Sequence, residues 1–135
     1  MNKTSFRIWG SCIGLCLVHQ ILQKDLDWEC YFLDSFLDSF LSMPILLGGL
    51  QLERTFVLRK VNSINKTQTY QFSLLEIGVL GIFFSLLFEE GFPYWTAHFT
   101  KDYWDYLMYF LGTCFFYFFM NKTQNITVGT SRSII

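Results

Sequence analysis

Apolar residues in this chain gather into four long runs, at about residues 8–23, 31–52, 72–88 and 103–120, separated by shorter polar stretches. A helix that crosses a bilayer takes ~20 largely apolar residues, with ~17 as the lower end, and the runs fall around that length. Two stretches, 78–88 (GVLGIFFSLLF) and 107–120, lack the polar stripe at helical period that a soluble bundle needs on its solvent face. Backbone groups in lipid have to be satisfied within the segment, so such runs predict helices. The pattern predicts an all-α, integral membrane four-helix bundle over residues 1–120 and a polar tail over 121–135.

Charge refines this into a topology. Lys3, Arg7, Arg54, Arg59, Lys60, Lys66, Lys122 and Arg132 fall on one side of the runs, and only Lys24 and Lys101 on the other. Such a bias places the basic side in the cytoplasm, and with four spans both termini lie there, N-in and C-in. The acids Asp25, Asp27, Glu29, Asp34, Asp38, Glu89, Glu90, Asp102 and Asp105 crowd the opposite side. Trp28, Tyr31, Tyr94, Trp95, Tyr103 and Trp104 cluster at the acidic side and Trp9 and Tyr70 at the basic side, as an interfacial aromatic belt does. After the first run comes HQILQK, with no small-x-small cleavage site, so the first helix reads as uncleaved. The N-x-T sequons at Asn2, Asn65, Asn121 and Asn125 lie on the inner side, where no glycan is added, and a bacterial inner membrane is the simplest host.

Composition excludes some classes. A net charge of −1 and the lack of a basic stripe give no case for nucleic acid. Cys12, Cys16, Cys30 and Cys114 have no metal-ligand spacing and read as small apolar side chains, and no cofactor is implied.

The chemistry is in the ionisable residues near the run ends, since a charge at the bilayer centre costs ~2.5–3.5 kcal/mol and less toward the headgroups. Asp34 and Asp38, in the repeat DSFLDSFL, lie one turn apart on one helical face with Ser35 and Ser39 beside them. They suit a shared cation or a proton relay, or simply sit in the headgroup zone. His19 ends the first run at a similar depth, and a carboxylate from Asp34 or Asp38 would make it a proton-sensitive pair. Glu89 and Glu90 close the third run; Asp102 and Asp105 open the fourth, where the helix dipole also favours acids. Glu76 lies at the cytoplasmic end of the third run, within reach of Arg54 or Arg59 as a structural ion pair. Pro44 is expected to kink the second run and free the carbonyl near Phe40.

At these residues a family resemblance emerges. Residues 90–112, EGFPYWTAHFTKDYWDYLMYFLG, resemble the last part of the VanZ-like family of small bacterial membrane proteins, with Glu90, Asp102, Asp105 and Gly112 in the family's order. Pro93 stands where the family has Gln, Tyr109 where it has Asn, and the loop Arg is missing. The first half, HQILQK through LDSFLSMP, resembles a set of small four-span proteins from Bacteroidetes, some labelled magnesium–citrate transporters. The inverted repeat of a transporter is not visible in 135 residues.

The expected function is therefore a small multi-pass membrane protein with an acidic outer-face cluster, His19, Asp34, Asp38, Glu89, Glu90, Asp102 and Asp105, that binds a divalent cation or a cationic ligand. The alternatives are an accessory bundle without chemistry and a small transporter subunit, which would have to assemble as a homo-oligomer or with a membrane-protein partner. No nucleophile with a base is legible, so catalysis is the weakest expectation.

Overall fold

The computed structural model describes residues 3–25, 31–61, 69–95 and 102–122, except the side chains of 25 and 31–35. Among the described residues the fold is all-α, with four helical rods. Helix α1 is Lys3–Asp25 and α2 is Tyr31–Lys60. Helix α3 covers 74–95: an α segment Leu74–Leu86, a π turn Leu87–Gly91 and a last α turn Phe92–Trp95. Helix α4 covers 103–120: an α segment Tyr103–Phe115 and a π turn Phe116–Met120.

The helices outrun their apolar runs. Helix α2 continues eight residues beyond 52 into the expected loop and ends on Arg59 and Lys60, cations that suit a helix C-terminus. Helix α3 begins later than its run because Ser73 caps it: the Ser73 hydroxyl accepts from the Glu76 N–H, and Glu76 accepts from the Ser73 N–H. This reciprocal capping box is written in the sequence as S-x-x-E. The same helix then passes Glu89 and Glu90, which do not close it, and absorbs Pro93. Proline offers no N–H to the turn before it, and the π turn next to it, closed by the Phe92 N–H on the Leu87 carbonyl, re-phases the helix so that Glu89 is its buried residue.

Helix α2 is the hub: it packs most extensively on α4, then on α1 and α3. A core of Leu47, Phe72, Ile77, Phe116 and Met120 joins α2, α3 and α4, with Ile8 and Trp9 of α1 against it. Two glycines permit the close approaches. A side chain at Gly48 would strike the Trp9 ring, whose indole N–H donates to the Ile45 carbonyl at 2.9 Å. Trp9 is thereby tied to the neighbouring helix. A Cβ at Gly112 would strike the Phe40 carbonyl oxygen and meet Met43 Cβ at 3.1 Å. Pro44, inside the unbroken α2, cannot bond that carbonyl. The residue that frees the oxygen and the glycine that approaches it are thus matched across two helices.

This contact makes a prediction. Gly112→Ala is expected to cost ~1–3 kcal/mol by overpacking, whereas Gly49→Ala, with nothing within 4 Å of the added carbon, should be neutral or slightly stabilising. Thermal unfolding followed by helical circular dichroism checks this; equal melting temperatures for the two variants would show that α2 and α4 do not pack through Gly112.

Candidate functional site

Polar side chains are concentrated at the two ends of the bundle. At the basic end most of them bond one another, with Gln51 Oε1 left as a buried acceptor without a donor among the described residues. Asn121 is 4% exposed: its Nδ2 donates to the Phe72 carbonyl at 2.8 Å and its Oδ1 accepts from the Phe72 N–H at 3.0 Å. Gln51 Nε2 donates to the Tyr70 carbonyl at 2.8 Å and to Asn121 Oδ1 at 3.4 Å, and Thr55 Oγ1 accepts from the Tyr70 N–H at 3.0 Å. Asn121 therefore belongs to the bundle and not to the polar tail, and it ties the end of α4 to the extended entry of α3. Nearer solvent, Arg54 Nη1 donates to Glu76 Oε1 at 2.9 Å and to the Tyr70 hydroxyl at 2.9 Å, and that hydroxyl donates to Glu76 Oε1 at 2.6 Å. The hydrogen bond to Glu76 pushes the Tyr70 phenol above its ordinary pKa. Of the two arginines expected near Glu76, Arg54 makes this pair, and Arg59 lies in the last turn of α2.

The acidic end is built differently. His19 of α1 is 8% exposed, and its Nδ1 lies 3.0 Å from Asp38 Oδ1 of α2. Gln20 Nε2 donates to the other Asp38 oxygen at 2.8 Å. The side chain of Asp34 lies outside the described residues. One residue on from Asp38, Ser39 Oγ donates to Asp105 Oδ1 of α4 at 3.0 Å. One turn further along α4, the Tyr109 hydroxyl donates to Glu89 Oε1 of α3 at 3.0 Å, and the Asp102 N–H donates to Glu89 Oε2 at 3.1 Å. Glu89 is 3% exposed. Asp102 also caps α4, accepting from the Trp104 N–H at 3.0 Å, and the Tyr106 hydroxyl donates to Glu90 at 3.3 Å.

The residues expected to converge thus form two groups. His19 and Asp38 pair between α1 and α2; Glu89, Asp102 and Asp105 gather where α3 and α4 meet α2, with Glu90 on the outside. The neighbouring residues Asp38 and Ser39 link the groups along α2. Tyr109 and Ser39, which hold Glu89 and Asp105, carry no conspicuous motif. Their signal was spacing: Asp105 and Tyr109 are one turn apart on one face of α4, and Ser39 adjoins an acid on the facing helix.

Among the described residues no three His, Cys, Asp or Glu side chains converge closely enough to hold a metal ion. A bare divalent cation takes six or more oxygens, or retained waters around fewer. A primary ammonium presents three N–H donors, and two carboxylates at a bundle end suit it better. Among the described residues, Cys12, Cys16 and Cys114 are free thiols.

No known protein family, curated protein or solved structure matches the chain. The VanZ-like resemblance rests on Glu90, Asp102, Asp105 and Gly112 alone.

The two ends predict unequal costs. Asn121→Ala orphans the buried Phe72 N–H and carbonyl, each worth ~1–3 kcal/mol. Arg54→Met breaks an ion pair whose Arg side chain is 55% exposed, a class worth ~1 kcal/mol or less. Denaturant or thermal unfolding should rank Asn121→Ala as the more damaging; the reverse order would mean that the amide does not anchor α4.

Proposed function

We propose that this chain is a small multi-pass integral membrane protein, N-in and C-in in a bacterial inner membrane, that receives the ammonium group of a cationic ligand at the acidic outer end of its bundle. The membrane placement is supported by an inverted distribution of side chains. His19, Ser39, Gln51, Thr55, Glu89 and Asn121 are buried, while Leu75, Val79, Ile82, Phe83 and Leu86 are exposed. These five share one side of α3 at helical spacing. A contiguous apolar patch of that kind is an aggregation liability in water and is at home against acyl chains. By length and composition alone, α1 over Lys3–Lys24 qualifies as a span among the described helices; for α3 and α4 the support is their exposed apolar faces. The excess of Lys and Arg at the opposite end supports the orientation.

The ligand reading is carried by one observation, the buried Glu89 carboxylate beside Asp102 and Asp105. Its partners are a phenol and a backbone N–H, and among the described residues no Lys or Arg side chain reaches it. A buried carboxylate without a counter-charge is costly. A primary ammonium seated between Glu89 and Asp105 supplies both the charge and the donors.

Two experiments test this reading. In a variant with all native cysteines replaced, Tyr94→Cys should react with a membrane-impermeant maleimide on intact cells, and Lys60→Cys only after lysis; the opposite pattern refutes the orientation, and a protein recovered without detergent refutes the membrane placement. In detergent, ethanolammonium should raise the melting temperature of the native protein as a saturating ligand does, and tetramethylammonium, which has no N–H, should not. Glu89→Gln and Asp105→Asn should each abolish the shift. A shift that survives in both, or that both amines produce equally, overturns the ligand reading.

A further inference from the structure

Helices α3 and α4 enclose a long groove on the bundle's outer surface, with a volume of about 700 Å³, within the ~300–1,000 Å³ range of ligand pockets. Gly78, Gly81 and Ile82 form one wall and Phe110, Thr113 and Phe118 the other. Gly81 is where the two walls touch: a Cβ there would meet Thr113 Cγ2 at 3.1 Å. At Gly78 an added Cβ meets nothing within 4 Å, so this glycine leaves space that no part of the protein fills.

Two lining hydroxyls, those of Ser85 and Thr113, face inward along their own helices. Ser85 Oγ donates to the Gly81 carbonyl at 2.7 Å and Thr113 Oγ1 to the Tyr109 carbonyl at 2.7 Å. The walls therefore offer a ligand apolar contact and little else. The mouth is different: Tyr106 lines the acidic end of the groove and donates to Glu90 at 3.3 Å, and Glu90 follows Leu86, the last α3 residue of the lining. From Leu74 to Leu86 the groove follows 13 residues of helix, a rise of ~18 Å at ~1.5 Å per step. That is the whole α segment of α3, ending just before the acidic end.

We infer that the groove holds an acyl chain of a lipid with a primary ammonium headgroup, the headgroup lying at the Glu90 mouth beside Glu89, Asp102 and Asp105. This rests on the function proposed above and names the ligand class of the same acidic end. Two observations select this occupant: long apolar walls in which the Ser85 and Thr113 hydroxyls are bonded within their own helices, and negative charge at the outer mouth. A second copy of the chain fits less well, because a two-fold pairing through this face would set two hollows opposite each other.

The test is native mass spectrometry of the protein released from detergent micelles containing equal amounts of palmitoyl-oleoyl phosphatidylethanolamine, phosphatidylcholine and phosphatidylglycerol. The native chain should retain phosphatidylethanolamine in preference to the other two. Gly78→Leu, whose Cβ meets no protein atom within 4 Å, puts a side chain into the groove and should reduce retention about tenfold. Glu90→Gln should remove the preference among headgroups while a lipid is still retained. In a chain whose only cysteine is Cys114, on the groove wall, phosphatidylethanolamine should slow alkylation by N-ethylmaleimide; this readout needs no groove-filling variant. Equal retention of all three lipids by the native chain, undiminished retention in Gly78→Leu, or a dimer that Gly78→Leu dissociates would each overturn the inference. Those failures are distinct from failure of the membrane reading, which is a chain soluble without detergent, and from failure of the ammonium reading, which is loss of the ethanolammonium shift with lipid retention intact.

Discussion

The close approach of α4 to α2 at Gly112 is the contact on which the other packing depends. Pro44 leaves the Phe40 carbonyl without its helical donor, and the missing Cβ of Gly112 lets α4 lie against that oxygen. On the acidic side of this contact, Ser39 reaches Asp105, and Tyr109, three residues before Gly112, reaches Glu89. On the other side, Phe116 and Met120 join Leu47 in the core, and Asn121 meets Gln51. A wider α2–α4 separation would lose both polar layers, since hydrogen bonds of 3 Å tolerate little displacement. One glycine and one proline thus set the register for chemistry at the acidic end and closure at the other.

Much of the all-α architecture was legible from run length, and the helix boundaries were less so. Apolarity marks where a helix can lie in an apolar environment, but a helix can extend beyond it. Helix α2 gains residues 53–60 because its polar continuation carries good helix formers and ends on cations. Helix α3 passes Glu89 and Glu90 because a π turn accommodates Pro93, which no periodicity signals. The Ser73–Glu76 capping box, an S-x-x-E pattern that the reading of Glu76 as an ion pair passed over, explains Glu76 more directly: the same carboxylate caps α3 and meets Arg54.

Inward-facing residues were harder to read, for a physical reason. A helix that is apolar all round has no contrast between its faces to reveal the inner one, so its few polar residues become the marker. Charge and depth narrowed His19 to Asp34 or Asp38 and Glu76 to Arg54 or Arg59, and the structure pairs them with Asp38 and Arg54. Ser39, Tyr109 and Asn121 were not marked in this way, because a hydroxyl or amide is ordinary in either environment and only the facing helix gives it a role. Asn121 stands in the sequence as the first residue of a polar tail; the Phe72 backbone, presented by the turn before α3, makes it a core residue.

The two polar layers differ in their balance of donors and acceptors. At the basic end, Asn121 both donates to and accepts from the Phe72 backbone, and Gln51 and Thr55 bond the chain around Tyr70. Among the described residues that layer leaves one buried side-chain acceptor, Gln51 Oε1, without a donor. At the acidic end the groups brought together are mainly acceptors. Each ionised carboxylate offers roughly four lone-pair sites. Glu89 receives two donors, Asp105 one from Ser39, and Asp38 one from Gln20 with His19 beside it. Orientation in a membrane is governed by Lys and Arg, with little contribution from acids, so topology does not account for this surplus. Helix capping accounts for Asp102 but not for Glu89, which is buried on the neighbouring helix. The ammonium lipid proposed above would supply N–H donors to this acidic layer, with its tail in the apolar groove that opens beside Glu90.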